Sequence, residues 1–525
     1  MLQTQTFNPR GLFRFNPGTT ALNGDRNTSF GNSFAAFLLD QPNQIGRDLT
    51  VYFPARRNTV YNLYFQDKWQ VTQKVTLDLG LRWEYWPSST PHFPAGFSNY
   101  NPENNTLELA GVGQIPNDLG IESQPRSFAP RFGLAYRLND KTVLRGGYGI
   151  SYLPRNTNVY NFPVKQANSL DAPNSFSAAG SMAKGFPQPT PVEIPKDGVI
   201  VSPPAQQFDV KPKDLFHSYV ESWNIAVQRV LPKDFFVEAA YVANHGVNIG
   251  QTLNLNAGRI PGAGSAGQPL FQRFGRLAAT NSTTGTHSYY DSLQIKVDRR
   301  LSGGLMLTTA YSFSKAIDFD TGNQSNQIYF FLNRGRANFD RTHVLVQSFI
   351  YELPFGLGKR WAHSAPERWL LGGWQLNGIL TAESGMPLNL TFSSATLNAP
   401  FNNNRPNLNG DVQIFGTIGP GTPYFDVTKF SAPAPNTFGT AGRNILHGPR
   451  LFALDFSIFR KFQISERINL ELRGEAFNLT NTPHFDNPNT TFGSPSFGEV
   501  TTAKGNQSSA VNENRQLQVG LRVWF

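Results

Sequence analysis

The sequence predicts an all-β fold: an antiparallel transmembrane β-barrel with short turns at one end and long loops at the other. Three observations predict it. The first is the segment RQLQVGLRVWF, where Leu517, Val519, Leu521, Val523 and Phe525 alternate with Gln516, Gln518, Gly520, Arg522 and Trp524. Period-two alternation makes a strand with one apolar and one polar face, and a strand crossing lipid needs about 9–11 such residues. The second is composition. The 525 residues are 39% hydrophobic and 16% charged, with 43 Phe, 47 Gly and 37 Pro, and the mean hydropathy is -0.36. No apolar run approaches the roughly 20 residues of a membrane helix; the longest tempting one is Phe34 to Leu39. A membrane chain of this composition must satisfy its backbone as a closed barrel. The third is spacing: short turns and long loops alternate along the chain, which a soluble sandwich has no reason to do.

The elements follow in order. Phe13 and Phe15 sit in a short predicted strand, followed by a polar loop to about Asn58. In VYNLYFQDKWQ, Tyr61, Leu63, Phe65 and Trp69 share a face that only Asp67 interrupts. VTLDLGLRWEY sets Val75, Leu77, Leu79, Leu81, Trp83 and Tyr85 against Thr76, Asp78, Gly80, Arg82 and Glu84. With a tight turn at Val71 to Lys74 these two runs make an antiparallel hairpin. The same unit recurs with predicted turns at Asn139–Lys141, Leu231–Asp234, Leu301–Gly303 and Gln463–Glu466, and with a stretched connector from Pro354 to Gly372. Long loops are expected at Pro87–Ser127, at Pro154–Phe216, at Gly246–His287, after Ala316 as far as Arg341, at Gly385–Arg450 and at Thr480–Asn514. The pass yields about fourteen strands, inside the roughly 8–26 of outer-membrane barrels. Phe525 falls on the short-turn side, so both ends of the strand series face the periplasm.

The alternate positions carry charges of both signs: Lys68, Asp78, Arg82, Glu84, Arg131, Arg137, Arg145, Glu238, Lys296, Asp298, Asp455, Lys461, Glu471, Arg473, Glu475 and Arg522. As a set they predict an aqueous lumen; singly, each also fits a charge ladder between neighbouring strands. Glu471 and Glu475 lie about 13 Å apart on one strand, beyond the roughly 5–9.5 Å of a glycoside-hydrolysing pair, and Arg473 between them reads as a structural bridge. Trp69, Trp83, Tyr85, Trp86, Tyr152, Trp223, Tyr311, Trp374 and Trp524 are placed near strand ends, as an aromatic girdle at the lipid boundary requires.

Other chemistries are disfavoured. Cysteine is absent and the eight histidines are scattered singly, so no metal site is expected. The net charge of +10 comes without a Lys/Arg-rich run, so nucleic acid is not an expected partner. Gly262 to Gly267 spells G-x-G-x-x-G, but no strand precedes it and no helix is expected after it, so a dinucleotide site fails its context. No G-x-S-x-G elbow appears, and no enzymatic role or cofactor is expected. The opening MLQTQTFNPRG has no apolar leader core, and an exported barrel needs one, so either the sequence is a piece of a longer chain or the barrel expectation fails.

Several blocks resemble barrel hairpins of TonB-dependent outer-membrane receptors. They are YFQDKWQVTQKVTLDLGLRWEY, FAPRFGLAYRLNDKTVLRGGYGISY, SYVESWNIAVQRVLP, YYDSLQIKVDRRLSGGLMLTTAYSFSKA, FDRTHVLVQSFIYELPFGLGK and LRGEAFNLTNTPHF. Their order, from about Gly11 to Phe525, is most similar to the Oar-like branch. The resemblance implies a barrel of about 22 strands preceded by a plug and a carboxypeptidase-regulatory-like domain, with residues 1–525 supplying the C-terminal barrel portion. It also implies a Gram-negative outer-membrane location and transport of a bulky, unidentified extracellular substrate. The implied partners are outer-membrane lipid, the barrel-assembly machinery that reads Leu517, Val519, Leu521, Val523 and Phe525, and the TonB complex through the plug alone. A passive porin or adhesin-like barrel without energy coupling is the alternative; a soluble sugar-binding β protein is a third.

Overall fold

The computed structural model describes residues 2–3, 11–21, 30–50, 55–154, 165–172, 177–186, 193–202, 207–214, 216–319, 326–356, 358–464, 468–503 and 514–525. Thirteen strands form one continuous path: β1 Tyr61–Gln70, β2 Val75–Tyr85, β3 Ser127–Asn139, β4 Thr142–Tyr152, β5 Tyr219–Leu231, β6 Phe235–Asn254 and β7 Thr280–Ser302. It continues through β8 Leu305–Asp318, β9 His343–Glu352, β10 Trp374–Glu383, β11 Leu451–Gln463, β12 Asn469–Phe477 and β13 Gln516–Trp524. Each strand pairs antiparallel with the next, so chain order is sheet order. Two short strands, Phe208–Val210 and Gly335–Arg336, attach to β7 and β8. The sheet is open among the described residues: β1 and β13 are its two edges. Thirteen alternating strands also leave those two edges running in the same direction.

The short turns are built by local chemistry. Thr72 Oγ1 accepts from the backbone N–H groups of Lys74 and Val75, at 3.1 and 3.0 Å. Asn139 Oδ1 accepts from the Lys141 N–H at 3.0 Å. Such Asx- and ST-turns supply a ready-made reversal. Gly303 and Gly304 take φ 56° and 84° between β7 and β8, a geometry that glycine adopts at little steric cost. The stretched connector holds a helix, Ala365–Leu371, opened by a capping box of Ser364 and Glu367. Part of the turn expected at Gln463–Glu466 lies outside the described residues.

Three expectations are corrected. The strand near Phe13 exists, as Leu12–Arg14, but belongs to a separate three-stranded sheet with Gln44–Thr50 and Lys165–Asp171. Three residues cannot span a bilayer, and their partners lie in connecting segments. The expected polar loop before Asn58 also contains the helix Phe30–Leu38. The loop expected from Gly246 to His287 shrinks to residues 255–279, because β6 and β7 run on for 20 and 23 residues. At about 3.3 Å per residue β6 is roughly 66 Å long, well beyond the ~25 Å apolar band of a barrel. A register shift between Gly246 and Ile249 interrupts the ladder there, and the polar start of β7, TNSTTGTH, gives the extension no apolar partner run by which to be recognised.

Candidate functional site

Residues directly opposite in a ladder share a face, so register carries each face across the whole sheet. Lys68 faces Asp78, Asp78 faces Gly133, and Gly133 faces Gly147. Glu238 faces Lys296; Lys461 faces Glu471, which faces Arg522; Glu475 faces Gln518. Followed strand by strand, every charge named from the alternation pattern lies on one polar face. Leu517, Val519, Leu521 and Val523 lie on the opposite, apolar face, with Leu472 against Leu521 and Leu470 against Val523.

Several polar-face charges pair. Arg82 Nε lies 2.6 Å from Glu84 Oε1, and Lys296 Nζ 2.8 Å from Asp298 Oδ2. Arg473 bonds the Glu471 carboxylate and covers the Phe459 ring at 4.7 Å. The expected bridge between two glutamates is thus made to Glu471; Glu475 lines a groove of about 460 Å³ instead. Asp455, Asn377 and Gln375 give this groove polar groups, while Met306, Ile350, Ile379 and Phe459 give it an apolar floor. Strand β9 is apolar on both faces, which is why apolar side chains reach the polar side here. A concavity of this size, largely apolar with a few polar groups, has the make-up of a small-molecule pocket.

The apolar face keeps most of its charges at its rims. At the short-turn end, Arg299 donates to the Lys233 carbonyl at 3.0 Å. Arg460 donates to the Gly372 carbonyl at 3.3 Å and stacks on Phe462 and Trp374. Towards the long loops, Tyr241 Oη donates to Asp291 Oδ1 at 2.5 Å, and Asp291 opposes Lys315. The same rim gathers two histidines that look isolated in sequence: His245 Nε2 and His287 Nδ1 are 3.2 Å apart, with Glu221 beside His245. Among the described residues no group of three or more His, Cys, Asp and Glu is placed to hold a metal ion. Of the girdle aromatics, Tyr85, Tyr152, Trp374 and Trp524 end or begin strands, and Trp69 is next to last in β1. Trp223 and Tyr311 lie inside β5 and β8.

The long loops fold into units with cores of their own, which the alternation analysis missed. Leu388, Leu390, Tyr424, Phe425, Phe430, Ala441, Leu446 and Val500 bury together. Phe425, Phe430 and Phe497 meet edge to face with centroids 5.5–5.8 Å apart. A second unit clusters Tyr100, Leu107, Phe208 and Leu270. There the wholly buried Arg276 lies 4.9 Å from the Tyr100 ring centroid and 4.7 Å from that of Phe208, and donates to Ser202 Oγ at 3.0 Å. Burial pushes its pKa down and that of Tyr100 up. Loops are latched to one another: Arg443 Nη1 pairs with Asp318 at 2.6 Å, and Asn402 Nδ2 donates to the Gly258 carbonyl at 2.9 Å. The only hint in the sequence was aromatic residues inside otherwise polar loops. The G-x-G-x-x-G stretch lies here as well. A six-residue helix, Pro269–Phe274, does follow it, contrary to expectation. Asn398 rather than a ligand occupies its turn, donating to the Gly262 carbonyl at 2.9 Å.

Residues 1–518 match a family described as outer membrane beta barrel domain. The chain belongs to the outer-membrane β-barrel family. It is therefore an outer-membrane barrel protein, of mostly antiparallel strands. No curated protein matches it. Among solved structures it is similar to the ferripyoverdine receptor of the Pseudomonas aeruginosa outer membrane, with 11% identity and a TM-score of 0.43 over 96% of this chain and 41% of that one. It is also similar to the siderophore receptor PiuA of Acinetobacter baumannii, with 9% identity and a TM-score of 0.42 over 98% and 50%. The ferric-catecholate import receptor Fiu of E. coli gives 11% identity and 0.40 over 92% and 45%. The chain spans about two fifths to one half of the length of these receptors.

Two outcomes follow for this barrel's loops. Phe425→Ala removes the centre of an edge-to-face cluster and is expected to cost the loop unit about 3–5 kcal/mol. Faster hydrogen exchange in residues 387–447, with unchanged heat-modifiable mobility of the barrel, is the expected readout. His447 pairs through its backbone with Pro387. Burial foremost, and then the Arg336 guanidinium, push its pKa below the ordinary value. A histidine so lowered binds more protons unfolded than folded, so the loop unit loses stability as pH falls through about 6.5. Loop melting followed between pH 7.5 and 5.5 should show that loss in the native protein, and His447→Gln should flatten it.

Proposed function

We propose that this chain forms the wall of a TonB-dependent, Oar-like transporter that moves a bulky substrate across the outer membrane. One observation carries the reading: a polar face, charged in both signs, that is kept in register across thirteen strands and interrupted only by the apolar stretch around β9. In a barrel of this family the polar face lines a water-filled lumen and the apolar face meets lipid. On this reading Lys68, Asp78, Arg82, Glu84, Arg145, Lys296, Asp298, Glu471, Arg473, Glu475 and Arg522 hydrate that lumen. Leu517, Val519, Leu521, Val523 and Phe525 are the lipid-facing signal read by the assembly machinery. The resemblance of the hairpin blocks to TonB-dependent receptors is what suggests energy coupling, which on this reading runs through the plug and the TonB complex and not through the barrel wall itself.

Strand parity supports a larger ring. Bacterial barrels close antiparallel with an even number of strands. Among the described residues the two edges run in the same direction, and such edges close antiparallel only with an odd number of strands added between them. A ring of roughly 22 would need about nine. Residues 1–525 are on this account the C-terminal part of the barrel, with the plug and the regulatory-like domain as separate segments of the same protein.

The facing assignment is tested with single substitutions. Leu521→Arg puts a charge towards hydrocarbon, at a cost of about 2–4 kcal/mol near the midplane, and should sharply reduce assembled barrel in outer-membrane fractions. Gln518→Arg, on the polar face, should assemble normally. Equal damage by both would reverse the assignment. For transport, cells making the natural protein should take up substrate only with an intact proton gradient and TonB. Flux that survives loss of both would mark a passive porin.

A further inference from the structure

The polar face has a second concavity, far from the groove between β8 and β12. It lies at the short-turn end of β1–β4 and measures about 490 Å³. Lys68, Lys74, Arg137 and Arg145 line it, and no Asp or Glu does. The ion pairs of the polar face lie elsewhere: Arg82 with Glu84, Lys296 with Asp298, and Lys461 and Arg473 with Glu471. The nearest acid in register, Asp78 opposite Lys68, accepts instead from Gln66 Nε2 at 3.0 Å.

The register makes near neighbours of the two arginines. Arg137 opposes Val143, two residues before Arg145 on β4, so the two guanidiniums stand on diagonal positions. Such positions lie roughly 7–8 Å apart, within reach of long side chains. Four like charges gathered on one face repel one another, and an anion among them would relieve that repulsion. Between them the floor is small: Thr76, Ala135 and Val143. Cations around a short-side-chain floor fit an anion with several oxygen acceptors, which guanidinium forks grip in pairs.

We propose that this concavity is a binding site for a small multivalent anion, a phosphate- or carboxylate-bearing solute, at the periplasmic mouth of the lumen. The proposal rests on the polar face lining that lumen, and not on coupling to TonB. The site is on the sheet's face, and the strands that carry its two arginines, β3 and β4, are paired on both sides in the ladder. A polypeptide could add as a strand only along the β1 edge, and the floor between the arginines offers it no pocket for an apolar anchor. A compact solute is the better fit.

Calorimetry on the full-length protein purified from outer membranes tests this, with pyrophosphate, citrate, an uncharged disaccharide and a poly-glutamate peptide as probes. Pyrophosphate or citrate should bind with an affinity that falls as salt rises, and the disaccharide should not bind. Preference between the two anions tells phosphate from carboxylate. The double variant R137Q/R145Q should weaken binding about tenfold or more. R259Q, in the connection after β6 at the opposite end of the sheet, should leave binding unchanged. Heat-modifiable mobility checks that each variant is folded. If R137Q/R145Q fails to assemble, K68Q/K74Q removes the other half of the site and should weaken binding in the same way. Anion binding that is absent, that is unchanged in both double variants, or that is seen for poly-glutamate alone would overturn the proposal. Those outcomes leave the lumen reading standing, because its own test is the contrast between Leu521→Arg and Gln518→Arg.

Discussion

Backbone pairing is the constraint on which everything else here depends. A strand in hydrocarbon has no water to satisfy its N–H and C=O groups, so each must find a partner on the next strand. The ladder that results does more than satisfy hydrogen bonds. Because side chains alternate and opposed residues share a face, one register fixes the character of both surfaces over the whole sheet. A slip of a single residue would exchange the two faces. The short turns hold that register: Thr72, Asn139 and the Gly303–Gly304 pair leave little room to slide.

Above the sheet the chain follows a different rule. The long connections carry too many polar backbone groups to bury without partners, and they are ordered by side chains that imitate backbone. Asn99 exchanges two 2.8 Å bonds with the main chain of Lys211, as a neighbouring strand residue would. Asn256, Asn333 and Asn402 play similar parts. Aromatic rings then fill the space these bonds enclose. The wealth of asparagine and phenylalanine in the loops has a structural use of this kind.

This division also explains what could be read from sequence. The thirteen strands were legible because lipid on one side and water on the other impose a period of two, and because Gly, Asn and Thr mark the turns. The segments closest to the loops were not. The start of β7, TNSTTGTH, is polar on both faces, and in VNIGQTLN the alternation of Val247, Ile249 and Leu253 is broken at Gln251 and follows a register shift, so the paired extension did not stand out from loop. The strand at Leu12–Arg14 was found, but its partner could not be, since three residues carry no register information. The loop cores rest on contacts between residues far apart in sequence, such as Phe425 with Phe497. The groove floored by Met306, Ile350, Ile379 and Phe459 was hidden because each residue alone breaks the alternation by one position. They become a surface only when β8 to β11 are laid side by side.

The Arg443–Asp318 pair has a consequence for how such a protein can change. Asp318 ends β8 and Arg443 belongs to the connection after β10, yet the arginine side chain is fully buried against it. Exchange of either loop alone would strand a buried charge, which is far costlier than loss of an exposed ion pair. The outer surface is therefore not a set of interchangeable modules. Variation at its exposed tips is cheap, while replacement of a whole connection requires its neighbours to be replaced with it. A transplant of specificity from one barrel of this kind to another would have to carry the latched loops as one block.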